Sequence, residues 1–218
     1  MAKSQTLVEV ARDADQVLIP SRYQKPFIEA YQSLTGIEIP EMKGRKMSVC
    51  SNGKIFRWMR GRDIPGCTAR ANVTNPNMRT IGLTGSEWCD EYAASTNGPD
   101  LPWNRIGEKL GCLAVISNID DDVELTRARL KPGFEPLGVA TAFPNFVKAL
   151  SKAGEWNITL RIPVQGCAES VAELFNIPAV DLVSTGATLA ANNFVVLQEL
   201  RESYPALVAP SATWGEQE

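Results

Sequence analysis

Val180-Asp181-Leu182-Val183-Ser184-Thr185-Gly186-Ala187-Thr188-Leu189 runs from an apolar stretch with one acid, through a turn of small hydroxyl residues, into a helical beginning at Leu189-Ala190-Ala191-Asn192. A strand that passes into a helix in this way suits an anion. The first N–H groups of a helix lack intrahelical partners and carry the positive end of its dipole. Ser184, Thr185 and Thr188 offer hydroxyl donors, and Gly186 lacks the Cβ that would hold a phosphate oxygen at a distance. Asp181 is better placed for sugar hydroxyls or a hydrated magnesium ion than for the phosphate. The same residues also fit a helix capped by Ser and Thr with no ligand at all.

Two other stretches carry comparable chemistry. Ile81 and Leu83 read as a strand that ends in Thr84-Gly85-Ser86, with Ser86 as the cap of a helix carrying Trp88, Tyr92 and Ala93. Lys54 to Arg60 alternates apolar and basic residues, as a half-buried strand does, and leads into Gly61-Arg62-Asp63-Ile64-Pro65. Arg60 and Arg62 are candidates for a polyphosphate, because guanidinium groups make charge-assisted bonds to phosphate oxygens. A solvated basic edge strand is the plainer alternative.

Composition narrows the chemistry. The 218 residues include no histidine, which excludes His-based triads, HExxH zinc sites and imidazole acid–base catalysis. A net charge of −3 from interspersed acids and bases marks no nucleic-acid surface. Cys50, Cys67, Cys89, Cys112 and Cys167 are odd in number, widely spaced and without a C-x-x-C pair, so free thiols in a reducing compartment are expected. The start, Met1-Ala2-Lys3-Ser4-Gln5, leads into an acid-bearing segment rather than a secretory apolar core, and no apolar run reaches bilayer length. The expected setting is cytoplasmic, with neither nucleic acid nor membrane as partner.

The positioning elements emerge from periodicity. Residues 6–16 form a short helix or lead-in strand, Val17 to Pro20 a buried strand, and Lys25 to Leu34 an amphipathic helix stopped by Gly36. Strands are expected at Gly111 to Ile116, Leu137 to Thr141 and Ile158 to Ile162. Helices are expected around Phe146 to Ala153, Val171 to Phe175 and Phe194 to Ser203. Asp120-Asp121-Asp122 reads as a solvated helix start rather than a metal cluster, and Arg127 to Pro136 as a loop. The tail from Pro205 is expected to fray. Alternating strands and helices imply α/β architecture with parallel sheets, whose ligands collect at the C-terminal strand ends. Both Thr-Gly turns and the Arg60–Asp63 segment occupy such ends.

Six segments, in order, give the chain a resemblance to the catalytic subunit of ATP phosphoribosyltransferase in its short form. They are Arg60 to Pro65, Ile81 to Glu87, Gly111-Cys112-Leu113, Val139 to Asn145, Gly166-Cys167-Ala168-Glu169, and Asp181 to Asn192. The resemblance implies a two-lobed α/β fold similar to type II periplasmic binding proteins, with the active site in the inter-lobe cleft. Lobe I would comprise 1–110 with 195–218, and lobe II 111–194. The implied reaction transfers phosphoribosyl from phosphoribosyl pyrophosphate to N1 of ATP, releasing pyrophosphate.

By the same resemblance Ser184, Thr185, Gly186, Ala187 and Thr188 hold the 5-phosphate, and Cys112 lines the same tunnel. Glu169 and Asp181 face the ribose or its Mg2+, and Arg60 faces the pyrophosphate; these three are the implied catalytic residues. Arg22, Asp63, Thr84 and Gly85 lie towards ATP. Implied partners are a regulatory subunit related to histidyl-tRNA synthetase and further copies of the chain, as a homodimer or larger. Two departures stand out: Ser21-Arg22-Tyr23 replaces the usual Lys-Gly-Arg turn, and Ala190 replaces an Arg that often follows Thr-Leu. The chain ends soon after the last expected helix, without the regulatory domain of long forms. The first departure leaves open a paralogue that binds a phosphorylated ligand as a sensor or regulatory subunit, or one that uses another acceptor.

Overall fold

The structure, a computed structural model, describes residues 6–41, 44, 46–95, 101–118, 120 and 122–210. The chain divides into two compact units, Met1–Lys109 with Tyr204–Glu218, and Leu110–Ser203. Each has its own sheet.

The first unit begins with α1 (Leu7–Asp13), whose start is fixed by a reciprocal cap: the Thr6 hydroxyl accepts from Glu9 N–H, and the Glu9 carboxylate accepts from Thr6 N–H. β1 (Gln16–Pro20) is buried along its whole length. α2 (Lys25–Thr35) ends at Gly36, whose φ of 71° closes the helix in the left-handed conformation that glycine adopts without strain. β2 (Met47–Val49) and β3 (Ile55–Met59) follow, then a 3-10 turn (Gly61–Asp63) that runs into α3 (Ile64–Thr74). β4 (Thr80–Gly85), α4 (Ser86–Ala94) and β5 (Trp103–Arg105) complete the N-terminal part.

The second unit contains β6 (Gly111–Asn118), α5 (Val123–Arg129), β7 (Leu137–Thr141), α6 (Pro144–Ala153), β8 (Ile158–Pro163), α7 (Ala168–Phe175), β9 (Ala179–Val183), α8 (Ala187–Ala191) and β10 (Phe194–Ser203). Its sheet order is β10-β6-β9-β7-β8. The chain then rejoins the first unit as β11 (Pro205–Val208), giving the order β2-β3-β1-β4-β11-β5.

Several expectations need correction. Phe194 to Ser203 is a strand, not a helix: β10 runs antiparallel to β6 from Asn118 to Gly111, and two register shifts bend its polar half. Asn193, at φ 57°, reverses the chain after α8 and lets Val195-Val196 extend, a conformation β-branched residues favour. The chain therefore returns to the first unit at Tyr204 rather than at 195. Pro205 onward does not fray, because β11 is buried between β4 and β5; residues 211–218 lie outside the described part. The sheets are mixed, since β2, β5 and β11 in one and β6 and β10 in the other run antiparallel to a neighbour. Arg127 to Arg129 belong to α5, whose first turn is capped by the Asp122 carboxylate accepting from Leu125 N–H. Asp121 lies outside the described residues. All five cysteines are free.

Candidate functional site

In the second unit, β9 delivers Asp181 to the end of the sheet. Thr141, fully buried at the end of β7, donates its hydroxyl to the Val180 carbonyl at 2.8 Å and accepts from Phe143 N–H at 2.9 Å. That tie fixes the backbone immediately before Asp181. The Asp181 carboxylate accepts from its neighbour Leu182 N–H at 2.8 Å, from Ala168 N–H in the first turn of α7, and shares a hydrogen bond with the Glu169 carboxyl. Burial and the adjacent Glu169 push Asp181 up to about 7, against the lowering effect of the two backbone donors. Two carboxyl groups facing each other, one easily protonated, form a poised pair. Among the described residues no group of three or more His, Cys, Asp or Glu side chains could hold a metal ion.

The turn after Asp181 is open. Ser184 and Thr185 are exposed, and the Thr185 hydroxyl accepts a long bond from Ala187 N–H, at 3.4 Å. Gly186 has φ 71°, and a Cβ placed on it would meet no protein atom within 4 Å. Its glycine is thus required by backbone conformation rather than by close packing of protein. Ala187 begins α8, a helix of five residues; Thr188 lies in its first turn, and its side chain falls outside the described part. Cys112 does not line an opening. It is buried with Ala114, Ala168 and Leu189 in the apolar cluster beneath the turn.

In the first unit, three neighbouring parallel strands end together. Arg22 follows β1, Arg60 follows β3, and Thr84-Gly85 ends β4, the strands lying in the order β3-β1-β4. Ser21 N–H donates to the Met59 carbonyl at 2.7 Å, which ties the Arg22 loop to the end of β3. Arg22 and Arg60 are exposed, and neither pairs with a described carboxylate. Asp63 lies 3.7 Å from Arg62 Nε. Tyr23 beside Arg22 is 89% exposed at φ 51°, a left-handed position rare for an aromatic residue.

Thr84 is fully buried, and its hydroxyl donates to the Gly61 carbonyl at 3.0 Å. It joins two strand ends and presents no donor outward. Ser86 does not cap α4 with its side chain: its N–H donates to the Tyr204 carbonyl and its hydroxyl accepts from Tyr204 N–H, so it clasps the returning chain. The buried Glu87 carboxylate lies where a Cβ on Gly85 would stand, so any larger residue there would displace it. Glu87 and Thr141 escape sequence reasoning, although an acid just behind Thr-Gly-Ser and a lone threonine closing an apolar strand are available as signals. A groove of about 340 Å3 over Leu18, Arg57, Met59 and Arg70 contains none of the candidate residues.

The sequence profile of the family described as HisG, ATP phosphoribosyltransferase, matches residues 62–218. The chain belongs to the ATP phosphoribosyltransferase family. Such an enzyme transfers phosphoribosyl from phosphoribosyl pyrophosphate to N1 of ATP in the first step of histidine biosynthesis. The chain is 28% identical over 206 residues to the ATP phosphoribosyltransferase of Methanopyrus kandleri, covering 92% of this chain and 67% of that one. It resembles in structure the ATP phosphoribosyltransferase (HisG:HisZ) complex from Thermotoga maritima, at 20% identity and a TM-score of 0.62, covering 91% of this chain and 89% of that one. The periplasmic aliphatic sulphonate binding protein SsuA from Escherichia coli is similar at 16% identity and a TM-score of 0.50, covering 92% and 66% respectively. The chain thus has the two-lobed α/β fold of type II periplasmic binding proteins.

Proposed function

We propose that the open turn Ser184–Thr188 holds the 5-phosphate of phosphoribosyl pyrophosphate, and that the Asp181–Glu169 pair engages the ribose. The observation that carries this reading is the turn itself: exposed at Ser184 and Thr185, left-handed at Gly186 with open space beside that residue, and three residues beyond a carboxylate pair. Backbone N–H groups at the start of α8 and the Ser184 and Thr185 hydroxyls supply donors to the phosphate. The ribose hydroxyls donate to Asp181 and Glu169, replacing the proton the two carboxyls otherwise share. The two carboxylates also fit a substrate-borne Mg2+, an ion that keeps several waters and needs few protein ligands. When bound, it offsets charge on the pyrophosphate.

Adenine N1 of ATP carries its own lone pair. As it bonds to C1 of the ribose, the bond from C1 to the pyrophosphate oxygen breaks and the pyrophosphate leaves with the electron pair. No base has to remove a proton for this attack, which fits a chain without histidine. Rate then comes from holding two anions in line and from stabilising the departing charge. Arg60 takes the pyrophosphate; Arg22 and the Asp63 segment lie towards ATP, with Thr84 and Gly85 shaping that edge. A regulatory subunit related to histidyl-tRNA synthetase, a homodimeric or larger assembly, and a cytoplasmic setting complete the proposal. The named HisG:HisZ complex supports the partner; no described helix is long and apolar enough to cross a membrane.

Incubation with ATP, phosphoribosyl pyrophosphate and Mg2+, with and without such a subunit, tests the reading by the absorbance of phosphoribosyl-ATP. Product formation that is lost in a Ser184→Ala, Thr185→Val double variant supports the site. Activity untouched by that variant would place the phosphate elsewhere.

A further inference from the structure

We propose that Gly111 sets the position of the phosphate turn and thereby the affinity for phosphoribosyl pyrophosphate; this rests on the assignment of Ser184–Thr188 to that substrate's 5-phosphate. Gly111 opens β6, one residue before Cys112, which pairs with Val183 at the end of β9. A Cβ on Gly111 would overlap the Val183 carbonyl oxygen and come within 2.9 Å of the Val183 carbonyl carbon and of Ser184 Cα. All three are backbone atoms, so no rotamer change relieves the overlap. Either the strand or the turn has to move.

The strand is held on every side. Leu113 to Ile116 are fully buried, Gly111 pairs with Ser203 on β10, and Leu110 N–H donates to the Ser203 carbonyl at 2.8 Å. The turn is exposed, is followed by a helix of only five residues, and has open space beside Gly186. The turn therefore yields. Ordinary carbon–carbon contact begins near 3.5 Å, so Ser184 Cα has to recede by roughly half an ångström or more. A shift of that size loosens the donors that grip the 5-phosphate and weakens binding of that substrate, while the reacting ribose carbon, held separately by the Asp181–Glu169 pair, keeps its place. Glycine at 111 thus places the first residue of the turn by letting β6 pass close beneath it. It acts through Ser184 and touches no substrate.

The test compares Gly111→Ala with Gly138→Ala, a glycine in the same sheet whose added Cβ would have Arg161 side-chain atoms as its nearest neighbours, at 3.2 Å and beyond. Steady-state kinetics, varying each substrate separately, are paired with melting curves and amide hydrogen exchange. The expected result for Gly111→Ala is a KM for phosphoribosyl pyrophosphate raised about tenfold. Its KM for ATP and its kcat stay within about threefold, with faster exchange confined to 183–187. Gly138→Ala leaves both KM values unchanged. Equal rises in both KM values, or loss of cooperative melting in Gly111→Ala alone, would show that this glycine serves the strand pair and overturn the proposal. So would an unchanged KM for phosphoribosyl pyrophosphate in Gly111→Ala while the Ser184→Ala, Thr185→Val variant raises it. If that double variant also has no effect, the assignment of the turn fails first and the proposal falls with it.

Discussion

Thr84-Gly85-Ser86 and Ser184-Thr185-Gly186 each end a strand and each lead into a helix, yet the protein uses them in opposite ways. At the first, β11 runs antiparallel along β4 as far as Gly85, facing Pro205. The turn is buried, Thr84 is bonded to Gly61, and Ser86 is clasped to Tyr204 on both its backbone and its side chain. At the second, strand pairing stops at Val183, and no described strand covers the residues after it. Ser184 and Thr185 stand in the open, and the backbone turns left-handed at Gly186. Similar residues at similar strand ends become a buried joint in one unit and an open turn in the other, the one to which we assign the phosphate. At the first junction the polar groups are taken up by Gly61 and by the returning chain at Tyr204; at the second no described strand arrives to do so.

Two substitutions should separate the turns most sharply. Gly186→Val forces a β-branched residue to φ 71°, at a local cost of about 1–3 kcal/mol, and reshapes the phosphate turn. Its expected effect is a loss of kcat/KM for phosphoribosyl pyrophosphate of about a hundredfold with the rest of the unit intact, read by kinetics and by circular dichroism. A variant with ordinary kinetics would mean that the turn is only a connector. Arg60→Ala should lower kcat by about a hundredfold and leave the melting temperature nearly unchanged, because Arg60 is exposed and unpaired with any described carboxylate. An unfolded variant, or one with normal turnover, would refute the role given to Arg60.

The places of β1, β3 and α2, and the passage from strand to helix at both junctions, are legible in the sequence because they rest on local periodicity and on Gly and Pro punctuation; Thr84 and Gly85, expected in a turn, are instead the last residues of β4, which runs directly into α4. What decides the fate of the junctions is not local. The Thr84 hydroxyl goes to the Gly61 carbonyl beyond β3, and the Ser86 hydroxyl is taken by Tyr204, more than a hundred residues later, just before a segment that reads on its own as a Pro/Ala-rich tail. Phe194 to Ser203 reads as a helix for the same reason. Its pairing with β6, and the bulges that accommodate its polar half, exist only once β6 has been placed. Cys112, identified by the company of Gly111 and Leu113, is a core residue beneath the turn.

The acid pair gives a smaller effect that also belongs to the open turn alone. Asp181 is raised to about 7 by burial and by Glu169, so between about pH 4 and pH 7 the folded chain holds a proton that the unfolded chain has released. Stability therefore falls as pH rises through this window. The melting temperature should decline from about pH 4 to about pH 7 and then level off, and Asp181→Asn should flatten the decline, raising the melting temperature above pH 7 by a few degrees. The same change should lower turnover about tenfold by removing an acceptor from the ribose. Phosphoribosyl pyrophosphate with Mg2+ should flatten the wild-type profile as well. A profile identical in the two proteins would show that the pair does not share a proton.

The least change is expected at the closed turn, and it is the one that tests the contrast most strictly. Thr84→Val keeps the shape of the side chain and deletes only the hydroxyl that reaches Gly61. A lost hydrogen bond of this kind costs about 1 kcal/mol, and a chain of this size would melt roughly 2–4 °C lower. Because Thr84 has no exposed surface, KM for phosphoribosyl pyrophosphate should not move. Any change in KM for ATP should be small, passing only through the turn that carries Arg60 and Asp63. Removing a hydroxyl at the open turn should do the reverse: Thr185→Val should leave melting alone and raise KM for phosphoribosyl pyrophosphate severalfold. If both variants shifted the same quantity, the two turns would share one role, and the arrival of β11 at only one of them would have no functional meaning.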